Sequence, residues 1–218
     1  MKLYAFDWGM YPRRVLVYLK ERAIDIAMVH IDVLTRENRQ PEFLSINPAG
    51  TLPVLELPGG EYVRQSRSII EYMEDTYPDG GLGGRTPGDS ARIRDLQSFI
   101  TEAYNAFNLY CYHTSPVFAG LVAQSGAVSN EMFDRHMAAM DTLERLASGG
   151  PFLLGDRLTH ADCAFFASAQ FACDLYRFPL SPRFPKLRSI YDTFSTRPSA
   201  RGVEYPPAVL ERAGIPPR

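Results

Sequence analysis

The sequence predicts an α/β unit followed by an all-α bundle. Three observations carry this: short strand-like runs alternate with helical spacing up to about residue 77, a glycine-rich break follows at 78–88, and helical periodicity alone continues beyond it. Residues 2–6 (Lys-Leu-Tyr-Ala-Phe) alternate as a strand, and residues 12–22 carry helical spacing through Val15, Leu16, Tyr18 and Leu19. Pro12 suits the first helical position, where its missing N–H costs nothing. Residues 26–31 form a second strand, parallel to the first if the helix between them is a crossover. A short polar helix covers about 38–46, then strands 53–57 and 61–64 flank Pro58-Gly59-Gly60, a hairpin signal. A helix from 66 to about 77 turns Ile69, Ile70, Tyr72 and Met73 inward and stops at Pro78-Asp79-Gly80-Gly81. This β-α-β-α-β-β-α order is that of a thioredoxin-like domain.

The second unit opens with a long helix over 89–113, striped by Ile93, Leu96, Phe99, Ile100, Ala103, Tyr104 and Phe107. Helices at about 129–148, 160–176 and 185–196 follow. The third of these four is apolar nearly all round, as a central bundle helix must be. Thr159-x-x-Asp162 at its start reads as an aspartate version of the capping box, worth about 1 kcal/mol or more. The expected organisation is a first domain of residues 1–79, a linker of 80–87, a helical domain of 88–200 and an irregular, proline-containing tail of 201–218.

Composition narrows the function classes. A formal net charge of −2 and a pI near 6.1 supply no basic footprint for nucleic acid. No apolar run approaches the roughly 18 residues of a membrane span, and a strand-like run follows Met1-Lys2 at once, so the expectation is a cytoplasmic protein with no membrane and no nucleic-acid partner. Cys111, Cys163 and Cys173 are odd in number and without framework spacing, which reads as reduced structural thiols. The four histidines show no ligand spacing, so no metal is expected.

The chemistry-bearing segment is Ile46-Asn47-Pro48-Ala49-Gly50-Thr51-Leu52-Pro53-Val54-Leu55-Glu56, followed by Gln65-Ser66-Arg67-Ser68-Ile69-Ile70. A cis bond at Leu52-Pro53 would turn the N–H and C=O of Leu52 outward, free to pair with an extended peptide. Gln65-Ser66 opens a helix whose exposed N–H groups suit a carboxylate. Together these describe a site for a small acidic peptide. Asn47-Pro48-x-Gly50-x-x-Pro53-Val54-Leu55 with Gln65-Ser66-x-x-Ile69-x-x-Tyr72 resembles the glutathione-binding half of the cytosolic glutathione transferase superfamily. The likeness is strongest over residues 40–75 and 152–175. It implies a thioredoxin-like N-terminal domain and a transferase-type helical bundle. It also implies that Thr51, Leu52, Pro53, Gln65 and Ser66 bind glutathione, with Ser66 on the γ-glutamyl carboxylate. Thr51 stands where many relatives carry a lysine, and Arg36, Arg39 and Gln40 are the nearby substitutes.

The same resemblance raises the question of what activates the thiol. Relatives place a hydroxyl or thiol at the start of the first helix, commonly Ser or Thr, where this chain has Gly9. Tyr11 is the hydroxyl in that loop and is the catalytic candidate; Tyr4 and the backbone N–H groups of Met10 or Tyr11, aided by the helix dipole, are alternatives. Met10, Tyr104, Phe107 and Cys111 are expected to wall a pocket for an apolar second substrate, with Asn105, Asn108 and His113 as polar options. Arg14 is expected to be structural or an ion-pair partner. The resemblance further implies a homodimer and conjugation of glutathione to a hydrophobic electrophile. A non-catalytic glutathione or hydrophobe binder remains open on the same residues, as does a glutathione-dependent isomerase, peroxidase or ether-cleaving enzyme.

Overall fold

The computed structural model describes residues 1–216. Four strands, β1 (Lys2–Ala5), β2 (Ala27–His30), β3 (Val54–Glu56) and β4 (Tyr62–Arg64), form one sheet in the order β2-β1-β3-β4. β1 pairs parallel with β2, which the crossover helix α1 (Met10–Glu21) permits, and antiparallel with β3. β3 and β4 make the antiparallel hairpin, with Leu55 opposite Val63. Helices α2 (Pro41–Ile46) and α3 (Ser66–Thr76) complete this half. Its element order is the expected one, and the fold is thioredoxin-like in this half and helical in the other.

The helical half contains α4 (Pro87–Thr114), α5 (Gly126–Leu146), α6 (His160–Tyr176), α7 (Pro185–Ser195) and α8 (Pro207–Arg212). Three details differ from the sequence reading. α1 starts at Met10, so Pro12 occupies its third position, still within the turn whose N–H groups have no acceptor. α5 starts at Gly126 because Ser125 caps it by accepting from the Val128 N–H at 3.4 Å. The tail expected to be irregular carries α8, whose Val209 is buried in the bundle core; two of its prolines, Pro206 and Pro207, sit at the helix's N-cap and first turn.

α6 explains its own composition. One side contributes Cys163, Phe166 and Ala167 to the core shared with the sheet, α1 and α3; the other places Ala164, Phe165, Ala169 and Phe171 in the bundle core. A helix buried on both sides has no use for a polar face. Its start is fixed by Asp162, whose carboxylate accepts from the Thr159 N–H at 2.8 Å, the Thr159 hydroxyl at 2.7 Å and the Leu153 N–H at 2.7 Å. The residues that join the halves are tied down by Glu74. Its carboxylate accepts from Tyr18 Oη at 2.6 Å and from the Leu82 and Gly83 N–H groups, and it pairs with Arg22. A Cβ at Gly81 or Gly83 would lie 2.7 Å from Glu74 Oε2, so glycine here permits the close approach. Burial raises the pKa of Glu74, but these hydrogen bonds outweigh it and hold the carboxyl below its ordinary value. Among the described residues, no helix is long and apolar enough to cross a membrane, and no group of three or more His, Cys, Asp or Glu could hold a metal ion.

Candidate functional site

The loop entering β3 is shaped by its own polar side chains. Asn47 is buried; its Nδ2 donates to the Thr51 carbonyl at 2.7 Å, and its Oδ1 accepts from the Ala49 N–H at 3.2 Å. Asn38 donates to the Gly50 carbonyl at 2.7 Å, and Gly50 takes the positive φ of +60° that this turn requires. The Leu52–Pro53 bond is cis. On the facing side, Gln65 adopts a φ of 75° as the N-cap of α3, which leaves the first-turn amides from Ser66 onward pointing out of the helix end.

These elements converge on one cleft of about 240 Å³, lined by Tyr11, Thr51, Leu52, Pro53, Gln65, Ser66, Thr101 and Asn105. Every residue assigned from the sequence to glutathione binding, and the catalytic candidate Tyr11, thus lies on a single cleft. The cleft offers a helix N-terminus, a serine hydroxyl and a phenol. Arg39 does not join it: its guanidinium holds the Ala49 carbonyl at 3.1 Å, behind the loop. Arg36 and Gln40 are likewise absent from the lining, so no cation takes the place of the relatives' lysine there.

Tyr11 is engaged from two sides. Its hydroxyl donates to Asn105 Oδ1 and accepts from Asn108 Nδ2 at 3.5 Å, while the Arg14 guanidinium lies 4.8 Å from its ring centroid. Burial raises its pKa, and Arg14 and Asn108 pull the other way without cancelling it, so the phenol keeps its proton at neutral pH. Thr101, Asn105 and Asn108 are spaced as i, i+4 and i+7 on α4, a polar strip beside the apolar stripe. That spacing was the available signal for Thr101, which the sequence reading missed by attending to the aromatic positions. Tyr4 serves the sheet: it donates to Glu56 at 2.7 Å, which together with burial pushes its pKa up to about 12.

Gly9 is more than a missing hydroxyl. A Cβ there would lie 2.2 Å from Phe6 Cε2, so the Phe6 ring occupies the space that a serine would need. Phe6 in turn packs edge-on against Trp8, ring centroids 4.7 Å apart.

The second-substrate wall expected of Met10, Tyr104, Phe107 and Cys111 is not assembled. All four are buried in the bundle core and none lines the cleft. Phe107 is enclosed by Tyr104, Tyr110, His136, Tyr176 and Phe178. Burial drives the Cys111 thiol well above its ordinary pKa, which makes it inert. Their one-turn spacing is that of a core stripe, which periodicity alone does not separate from a pocket stripe. His113, another polar option, accepts the Ser125 N–H at 3.3 Å and helps lead the chain into α5.

Comparison with known proteins bears on the whole architecture. The family model for the glutathione S-transferase N-terminal domain matches residues 8–76, and that for the C-terminal domain matches residues 126–193. Glutathione S-transferase 2 of Saccharomyces cerevisiae is 27% identical over 209 residues, covering 92% of this chain and 88% of its own. A maleylacetoacetate isomerase of Pseudomonas aeruginosa is 26% identical over 207 residues, covering 92% and 94%. The crystal structure of Gtt2 from Saccharomyces cerevisiae superposes with a TM-score of 0.80 at 28% identity, over 91% of this chain and 98% of that one. A glutathione S-transferase domain-containing protein of Marinobacter aquaeolei superposes at 0.81 with 27% identity, over 92% and 100%. With both halves matched in order, and relatives aligned along nearly the full length, the chain belongs to the glutathione S-transferase superfamily.

Proposed function

We propose that the chain binds glutathione in the cleft between β3, α3 and α4 and activates its thiol for attack on a hydrophobic electrophile. The observation that carries this reading is the single cleft shared by Leu52, Ser66 and Tyr11. In it, Gln65 and Ser66 receive the γ-glutamyl carboxylate at the positive end of α3, and Leu52 pairs through its backbone with the cysteinyl segment. Thr51 and Pro53 shape that wall. The Tyr11 hydroxyl donates a hydrogen bond to the sulfur, favouring thiolate over thiol as the thiol proton passes to solvent; the thiolate then forms the S–C bond as the electrophile releases its leaving group or opens its ring. The chain contributes thiolate stabilisation and proximity. With Tyr104, Phe107 and Cys111 in the core, the electrophile approaches past Tyr11 from the solvent side of the cleft. A closed two-fold dimer in the cytoplasm, and a role in detoxification, complete the proposal, the dimer being testable by its mass in solution.

Calorimetry tests the binding step. Ser66→Ala should weaken glutathione by about 1 kcal/mol or more, the contribution of a hydrogen bond to a carboxylate. Unchanged affinity would reject the assignment of Ser66. The alignment with a maleylacetoacetate isomerase favours one second reading, in which the thiolate adds reversibly to an unsaturated acid and leaves again. Product analysis separates the two, because conjugation consumes glutathione and isomerisation returns it.

A further inference from the structure

The two arginines after Pro12 are used in different ways. Arg13 donates from Nη2 to the Ala200 carbonyl at 2.9 Å and the Ser199 carbonyl at 3.2 Å, and from Nε to Gln170 at 3.1 Å, which pins the chain after α7 against α1. Arg14 is just as buried, at 4% exposure, but lacks any such enclosure of acceptors. Its Nε and Nη1 donate only to the neutral hydroxyls of Ser168, at 2.9 Å, and Thr101, at 3.3 Å. The ion-pair role expected for it is not found: among the described residues, the ion pairs all belong to other cations. Its Nη2 has no hydrogen-bond partner. Burial pulls its pKa down to about 10, which still leaves it charged at neutral pH.

A complementary orphan lies on the same void. Gln97 is 3% exposed; its Nε2 lies 2.8 Å from His160 Nδ1, while its Oε1 has no partner. Arg14, Arg67 and Gln97 line the same void, about 10 Å³ in volume, close to the room that one water molecule needs; Arg67 is committed elsewhere, its Nε donating to Glu71 at 3.1 Å and its Nη1 to Ser98 at 3.3 Å. Ser66 and Thr101 line both this void and the glutathione cleft, so they form the wall between the two. An unpaired buried guanidinium is costly to a fold, and an anion arriving across a thin wall in a low-dielectric interior supplies what the fold withholds.

We propose that Arg14 is the internal counter-cation of the carboxylate bound at Ser66, its charge acting across the shared wall of Ser66 and Thr101, while one water molecule in the void satisfies Arg14 Nη2 and Gln97 Oε1. This rests on the glutathione reading and deepens it, by naming a cation that contributes affinity without entering the cleft.

Gln97→Glu tests the proposal with Arg14 left in place, because it sets a permanent carboxylate beside the guanidinium. Gln97→Met is the uncharged control. By calorimetry, Gln97→Glu should weaken glutathione about tenfold, as loss of a charge-assisted interaction would. Gln97→Met should change affinity little. The same Gln97→Glu protein should melt at a higher temperature without ligand, since its guanidinium is now paired. Arg14→Met should lose affinity like Gln97→Glu, and Arg14→Lys should keep most of it. A glutathione analogue with its γ-glutamyl carboxylate amidated should bind the wild type weakly and show no further loss in Gln97→Glu. If the wild type binds glutathione and Gln97→Glu, folded by circular dichroism, binds it equally well, the inference is overturned while the site stands. A wild type that binds no glutathione overturns the site reading, and this inference with it.

Discussion

Tyr11 has one proton to give, and the structure shows where it goes in the free protein: to Asn105 Oδ1. For the phenol to support a thiolate, that proton must turn from a neutral carbonyl to a charged sulfur. A hydrogen bond to a charged acceptor contributes about 1.5–3 kcal/mol and the forfeited neutral one about 1 kcal/mol, so the net is about 0.5–2 kcal/mol. Divided by about 1.4 kcal/mol per pKa unit, this lowers the bound thiol by roughly one unit from an ordinary value near 8.5. Tyr11→Phe should therefore raise the bound-thiol pKa by about one unit and slow turnover at neutral pH by up to about tenfold. Asn105→Ala should move the thiol the other way, because the phenol no longer has a competing acceptor. Ultraviolet titration of the thiolate in the glutathione complex measures both variants directly. Two titration curves that superpose on the wild type would remove Tyr11 and its α4 partners from the chemistry, leaving the amides at the start of α1 as the remaining candidates.

Other consequences are as concrete. His160 is held neutral by burial, its pKa lowered to about 4, whereas burial raises Asp162 to about 6. Between these values acid puts a proton on His160 in the unfolded chain alone, which destabilises; it also puts one on Asp162 in the folded chain before the unfolded, which stabilises. Each gap is worth about 3 kcal/mol, with opposite signs, so the pair should leave the melting temperature nearly flat from about pH 6 to 4.5. Asp162→Asn should expose the fall in stability with acid and His160→Gln should reverse its slope; parallel slopes in the two variants would refute the pairing. Phe107→Ala should destabilise by about 3–5 kcal/mol in denaturant melts and leave electrophile preference alone, the reverse of what a pocket wall would show. Gly9→Ser forces Phe6 off Trp8 and should cost about 1–3 kcal/mol without improving thiol ionisation, while Phe6→Ala in the same chain should recover the stability difference.

The sequence disclosed more of the cleft than of its chemistry, for physical reasons that particular residues show. Pro53, Gly50 and the Gln65-Ser66 pair are backbone devices: a proline that sets an amide's direction, a positive φ, a helix start. Such devices act through local conformation, and local conformation is what spacing along a chain encodes. The same holds for the Thr159–Asp162 cap and for α6, whose uniform apolarity announced burial on two sides. Tyr104, Phe107 and Cys111 were misplaced because a stripe at helical spacing specifies a face and not what covers it. Here the cover is Phe178 and His136, from segments far along the chain. The tail helix escaped notice for a related reason: Pro206 and Pro207 break a helix when internal and start one when first, and only Val209 docking into the bundle decides between those outcomes.

Arg14 shows the limit most sharply. From sequence, a second arginine in a helix invites the search for an acid at an i±4 neighbour, and that search is empty because positions 10 and 18 are Met and Tyr. The informative property is a pair of unmet hydrogen-bonding atoms, Arg14 Nη2 and Gln97 Oε1, on residues of α1 and α4 that line one void. An unmet donor and an unmet acceptor in one void exist only once tertiary structure does. Folds meet nearly all buried polar groups, so a charged exception located one residue behind a ligand cleft is where function leaves its mark. The first-helix loop fits the same logic. Phe6 closes the place of the usual hydroxyl, the Tyr11 ring lies against the Arg14 guanidinium, and the cation that would otherwise seek a carboxylate is left unpaired behind Ser66.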